Sequence, residues 1–95
     1  MPSVVRINDS GSGHGCFPPR ANDSGNPVNV YVNGRLAHCL GGHWLTHSCG
    51  DSSHDGVLSG ASTTVFVGGK GIARIGNPIS CGSVAAVGSS NVFAG

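Results

Sequence analysis

Charge is what this sequence has least of. Charged residues make up 9% of its 95 positions, far below the roughly 25% of an ordinary globular domain. The five basic residues, Arg6, Arg20, Arg35, Lys70 and Arg74, stand apart from one another. No basic patch is available to neutralise a phosphate backbone, so nucleic acid is excluded as a partner. Aromatic residues are scarce as well, at 5%. A chain this short buries only a modest core, and something besides packing is needed to hold it together. No stretch approaches the roughly 20 apolar residues of a membrane span. Gly and Pro interrupt nearly every window that could hold three helical turns. The opening "MPSVVRIND" has neither the apolar core nor the cleavage site of a signal peptide. Synthesis and folding in a cytoplasm are therefore expected, where thiols more often bind metal or pack than form disulfides.

What is present is glycine, cysteine and histidine. Gly fills 17 positions, and four cysteines (Cys16, Cys39, Cys49 and Cys81) accompany five histidines. The segment "THSCGDSSHDG", residues 46–56, gathers two histidines and a cysteine. The organisation emerges when the sequence is laid on itself. "VYVNGRLAHCLGGH" at 30–43 aligns with "VFVGGKGIARIGNP" at 65–78, and seven of fourteen positions keep their residue type. The closing "SSNVFAG" starts the same unit a third time, with Val92 and Phe93 in the places of Val65 and Phe66, and stops where the turn would begin.

Each unit reads as a β-hairpin: Val alternating with an aromatic, a turn at Asn33-Gly34 or Gly68-Gly69, then a returning strand. A Gly/Ser turn precedes each first strand, at "DSGNP", "SGAST" and "VGSSN". The expected fold is all-β, a single domain over 1–95 in which 1–12 forms an N-terminal strand or arm. Two and a half hairpins with equivalent approaches predict a pseudo-threefold object rather than a sandwich.

Rotation about an axis brings the residues ahead of each unit together: His14, His54 and Cys81. A fourth ligand closes a tetrahedron, the arrangement of a structural zinc site. His47 supplies it from a loop inserted only in the second unit, with Gly, Ser and Asp between His47 and His54 allowing a tight reversal. The expected metal set is His14, His47, His54 and Cys81, holding one zinc ion. Cys49 competes with His47 for the fourth place. Cys16, two residues after His14, is left out because its repeat counterparts are not ligand types. His38 and His43 align with Ala73 and Pro78 and read as packing or surface residues, and Cys39 as a small apolar filler. A Cys/His nucleophile is the alternative chemistry, with Asp51 or Asp55 orienting a histidine. Four protein ligands leave no open position for a catalytic water.

With "SGHG", "VNVYVNGRLAHCLGG", "HSCGDSSHDGVLSGASTTVFVGGKGIARIGNPISCGS" and "VGSSNVFAG", the chain resembles the PAAR-repeat proteins over about residues 13–95. These sharpen the spike of contractile phage tails and type VI secretion systems. The name-giving segment departs from the pattern, reading "RLAHC" at 35–39 and "GIAR" at 71–74, and Gly-Asp reads Gly41-Gly42 and Gly76-Asn77. The resemblance implies a small conical β-pyramid with zinc near the vertex. It implies no enzyme but a structural tip that caps a trimeric β-helical spike protein, one monomer per trimer, and aids envelope piercing. The target membrane would be met only transiently, and the mature protein would sit at a virion tail tip or leave with the injection tube. The wording leans to phage. The alternatives are a small zinc-dependent or cysteine hydrolase and a stand-alone zinc-binding module.

Overall fold

Two-residue turns set the strands. Asn33-Gly34 and Gly68-Gly69 all have positive φ, between 54° and 80°, the type I′ geometry whose twist matches paired strands. They join β1 (Tyr31–Val32) to β2 (Arg35–Leu36) and β5 (Phe66–Val67) to β6 (Lys70–Gly71). Between them lie β3 (His43–Cys49) and β4 (Ser52–Val57). All three pairs are antiparallel, and each is a separate two-stranded sheet. The computed structural model describes residues 1–24 and 30–95 and contains no helix among them. Most of the turn expected at 23–27 lies outside the described residues.

The region expected as an inserted loop is instead the longest hairpin. Gly50 at φ 60° opens its two-residue turn, a type II′ arrangement with glycine at the first central position. Serines and a histidine on β4 face Cys49, Ser48 and His47 on β3. The polar run carries few large apolar residues, and its strand character comes from the turn and the cross-strand ladder.

The third unit is completed by the chain's own beginning. Ser3 bridges Phe93, the Val4 amide donates to Val92 O, and the Ala94 amide donates to Pro2 O. The same roles are played by Tyr31 with Leu36 and by Phe66 with Gly71. Gly95 and Met1 thus stand where the other units have their turn residues.

Three returning segments then close a ring of backbone bonds. Val5 N–H donates to Ala73 O at 2.9 Å, Ala73 N–H to His38 O at 2.9 Å, and His38 N–H to Val5 O at 3.0 Å. One residue earlier, Val4, Ala37 and Ile72 pack together with Val32 and Ala94. Val5 and Ala73 join a second cluster with Trp44, Leu58, Ile79 and Ala85. Beyond the ring, each segment turns at a residue of positive φ: Asn8, Gly41 and Gly76. The following amides, on Asp9, Gly42 and Asn77, bond back to Arg6, Cys39 and Arg74. Asp9, buried, also accepts from the Arg6 amide and guanidinium and pairs with Arg35 at 3.1 Å. Asn77 caps Arg74 in the same manner.

From these turns the chain makes three out-and-back excursions, over residues 9–22, 42–58 and 77–85. Their return points are matched: Asn22 N–H donates to Asp9 O, Leu58 N–H to Gly42 O, and Ala85 N–H to Asn77 O. Neighbouring excursions are stitched by the bridges Asn22 to Trp44, Leu58 to Ile79, and Gly11 to Ala85. The molecule measures 38 × 23 × 23 Å along its principal axes, with two equal short dimensions.

Candidate metal centre

The three excursions deliver the candidate ligands. On the first, His14 and Phe17 exchange backbone hydrogen bonds of 3.1 and 2.8 Å across Gly15-Cys16. On the second, His47 and His54 are register partners of β3 and β4. On the third, the Gly82 amide donates to Ile79 O, folding the chain tightly at Cys81. Gly56 makes room for this turn, since a Cβ there would stand 3.0 Å from Ile79 Cγ2 and 3.1 Å from Cys81 Cβ.

The structure brings together His14, His47, His54 and Cys81, with one nitrogen or sulfur of each lying within 4.8 Å of the others. The Nε2 atoms are separated by 3.1 Å (His14 to His47), 2.9 Å (His14 to His54) and 2.6 Å (His47 to His54). His47 is buried, and its Nδ1 lies 2.9 Å from Pro18 O. A carbonyl only accepts, so neutral His47 carries its proton on Nδ1 and has a bare lone pair on Nε2. The three contacts among Nε2 atoms therefore cannot all be hydrogen bonds, and lone pairs are left facing one another. A cation relieves this arrangement. Bonds of 2.0–2.1 Å in a tetrahedron space nitrogens about 3.3 Å apart, close to what these residues present, and imidazole with thiolate is a donor set that suits zinc. This His₃Cys cluster can bind a metal ion. Desolvation, followed by the charges of His47 and His54, holds the His14 pKa below its ordinary value, favouring the neutral ligand form. Phe17 stacks on His54 and His14, with centroids 4.2 and 4.8 Å away, and covers the rings.

The remaining residues divide clearly. Cys39 is buried, and burial pushes its thiol up to about 11, an inert filler as the repeat indicates. His38 is buried edge-on to Trp44, with Nδ1 2.7 Å from Ser24 O. The expectation that Cys49 competes as a ligand is not met: Cys49 forms a disulfide with Cys16, Cα atoms 5.6 Å apart, where reduced thiols were expected. In the chain-entropy account, closing a loop across a sequence separation of 33 is worth about 3–4 kcal/mol. The cleft beside His47 and Cys81, lined by Arg20, Trp44, Leu45, Ile79 and Ser83, has a volume of about 10 Å³, room for about one water.

His43, read from the repeat as a surface or packing residue, links two excursions. Its Nδ1 lies 2.6 Å from Asp23 and its Nε2 2.8 Å from Asp55. Hydrogen bonds to Asp55 and then Asp23 raise the His43 pKa above 6.5, and the bond to His43 lowers that of Asp55. The raised histidine contributes stability that is fully present below pH 6.5 and lost as pH rises through its folded value. The carboxylate's contribution is lost as pH falls through its own depressed value. A small melting-temperature advantage over His43→Gln is expected between the ordinary carboxylate range and pH 6.5, and it should close as pH rises further through the raised value of the folded histidine. A gap that stays constant across this range would refute the ion-pair account.

No curated protein is similar enough in sequence to match this chain. The sequence profile of the PAAR motif family matches residues 24–87, which includes three of the four clustered side chains and both complete short hairpins. The chain belongs to the PAAR motif family, which is structural rather than enzymatic and consistent with a spike-tip role in contractile injection systems.

Proposed function

We propose that this chain, acting as one PAAR-like domain over 1–95, is the zinc-stabilised tip of a contractile injection machine. In this reading it forms a pseudo-threefold cone that caps a trimeric β-helical spike, one monomer per trimer, and helps drive it through an envelope. The observation that carries the reading is the convergence of His14, His47, His54 and Cys81 from three excursions in a chain of this family. A metal ion ligated there cross-links all three excursions, which resists shear in a way a small apolar core does not. Tyr31, Phe66 and Phe93 hold matching positions in the three units and are exposed at 63%, 59% and 48%. Three equivalent apolar side chains suit a partner of threefold symmetry, and such exposed groups mark interaction surfaces. The sparse charge avoids a large desolvation cost during passage. The protein acts at a tail tip or leaves with the injection tube, and phage tails and secretion systems both fit.

No observation favours a hydrolase. The four clustered side chains would fill the four positions of a tetrahedral ion and leave none for a catalytic water, and Cys39 is too basic to act as a nucleophile. Native mass spectrometry of the chain mixed with the β-helical trimer of its own machine tests the proposal. One chain per trimer is expected. Failure of the folded, metal-loaded protein to associate would leave only a stand-alone metal-binding module.

A further inference from the structure

The Cys16–Cys49 disulfide sits on the two excursions that bear the histidines. Cys16 belongs to the two-residue turn between His14 and Phe17, and Cys49 ends β3 beside the Gly50-Asp51 turn. Cys16 and Cys49 each lie two residues beyond a histidine of the cluster, so the bond ties one hairpin tip to the other. The first excursion supplies more than His14. Phe17 stacks on His54, and Pro18 O fixes the His47 ring through Nδ1. Its nearest backbone ties to the third excursion lie lower, from the Ser12 amide to Val84 O and at the Gly11 to Ala85 bridge. Above Ser12, the disulfide is the covalent link that holds this tip against β3.

We propose that Cys16–Cys49 is a redox latch on the metal site. When closed, it keeps His14, Phe17 and the Pro18 carbonyl seated and slows metal exchange. When open, the 13–18 tip swings away as a unit and the ion leaves through the gap. Closure consumes a small-molecule disulfide: two cysteine thiols and RS–SR give the protein disulfide and two RSH, with two electrons passing to the oxidant. Opening is the reverse exchange, in which a thiolate attacks a sulfur of the bond and Cys16 is exposed to it. Cys81, the free thiol of the cluster, takes no part. The latch therefore lets the site load reduced and hold its ion once oxidised.

This inference rests on the cluster being a metal site, and the test separates the two claims. Zinc-loaded protein is treated with a chromogenic chelator, either oxidised or after reduction by a phosphine, which becomes phosphine oxide with oxygen from water and does not compete for zinc. The double variant Cys16→Ser/Cys49→Ser serves as a redox-inert control. A second tether raises the local concentration of the His14 arm, so release from reduced wild type should be at least about tenfold faster than from oxidised. The variant should release fast whether or not phosphine is present. One zinc per chain in both forms, released at equal rates, overturns the latch and leaves the metal site standing. No zinc in either form overturns both. If the variant does not fold, the two redox forms of wild type decide the question alone.

Discussion

Exhaustive chelation of the metal-loaded protein is expected to lower its melting temperature by roughly 20 °C or more, or to abolish the transition. Structural zinc contributes about 10–16 kcal/mol of apparent binding energy in small peptides, while a whole domain has a net stability of about 5–15 kcal/mol. The ion would be comparable to everything else in the fold. Without it, three Nε2 atoms within 3.1 Å of one another must separate or take up protons, and the hairpin tips lose their convergence. His47→Ala is expected to lose the ion, because it removes the buried histidine of the four-residue cluster. Cys49→Ser should retain one zinc per chain, since Cys49 is committed to Cys16. Elemental mass spectrometry of each variant, purified without added metal, reads the result. A chelated wild type that melts where the loaded protein does would remove the metal from the account of stability.

The second large effect is expected at Trp44. It is 3% exposed, sits near the foot of β3, and packs with Val5, Leu58, Ala73, Ile79 and Ala85. Its ring stands edge-on to His38, 5.2 Å away. Emptying a buried tryptophan site costs about 3–5 kcal/mol, because the surroundings collapse only partly. Here collapse is hindered by the backbone ring of Val5, His38 and Ala73, whose bonds hold three segments at fixed spacing. Trp44→Ala should therefore be unfolded or nearly so after chelation, with zinc restoring a cooperative transition by binding the native state alone. Trp44→Phe should cost much less, since the buried Nε1 has no hydrogen-bond partner to lose. Denaturant midpoints for the two variants decide the matter. Equal midpoints would mean that the second apolar cluster contributes little.

Much of this was legible in the residues. The offset repeat located both short hairpins, because the Val-aromatic-Val pattern and the Asn-Gly or Gly-Gly turn specify them locally. Residues of ligand type that precede equivalent strands are His14, His54 and Cys81, and the structure gathers these three with His47 into one cluster able to hold a metal ion. Two features escaped. Taken linearly, the third copy of the repeat stops where its turn would begin. Its returning half is "VVRIND" at 4–9, which lies over "IARIGN" at 72–77 with Arg6 on Arg74 and Ile7 on Ile75. The repeat thus wraps past the end of the chain, and the wrapped copy carries Asp9 and its Arg6 partner. The β3–β4 hairpin escaped for a different reason: "THSCGDSSHDG" carries too little apolar alternation for the pattern to register.

By itself, the sequence determined the all-β class, the turn chemistry, the scarcity of charge and the residues able to bind metal, since each follows from local composition and spacing. Only the tertiary structure decided that the first and last residues share one strand pair, that three segments close a ring, and that Cys49 faces Cys16. Those outcomes join positions far apart in the chain. Backbone bonds such as Val5 to Ala73 and a 5.6 Å Cα separation between Cys16 and Cys49 arise from the packing of the whole chain, and no local stretch encodes them.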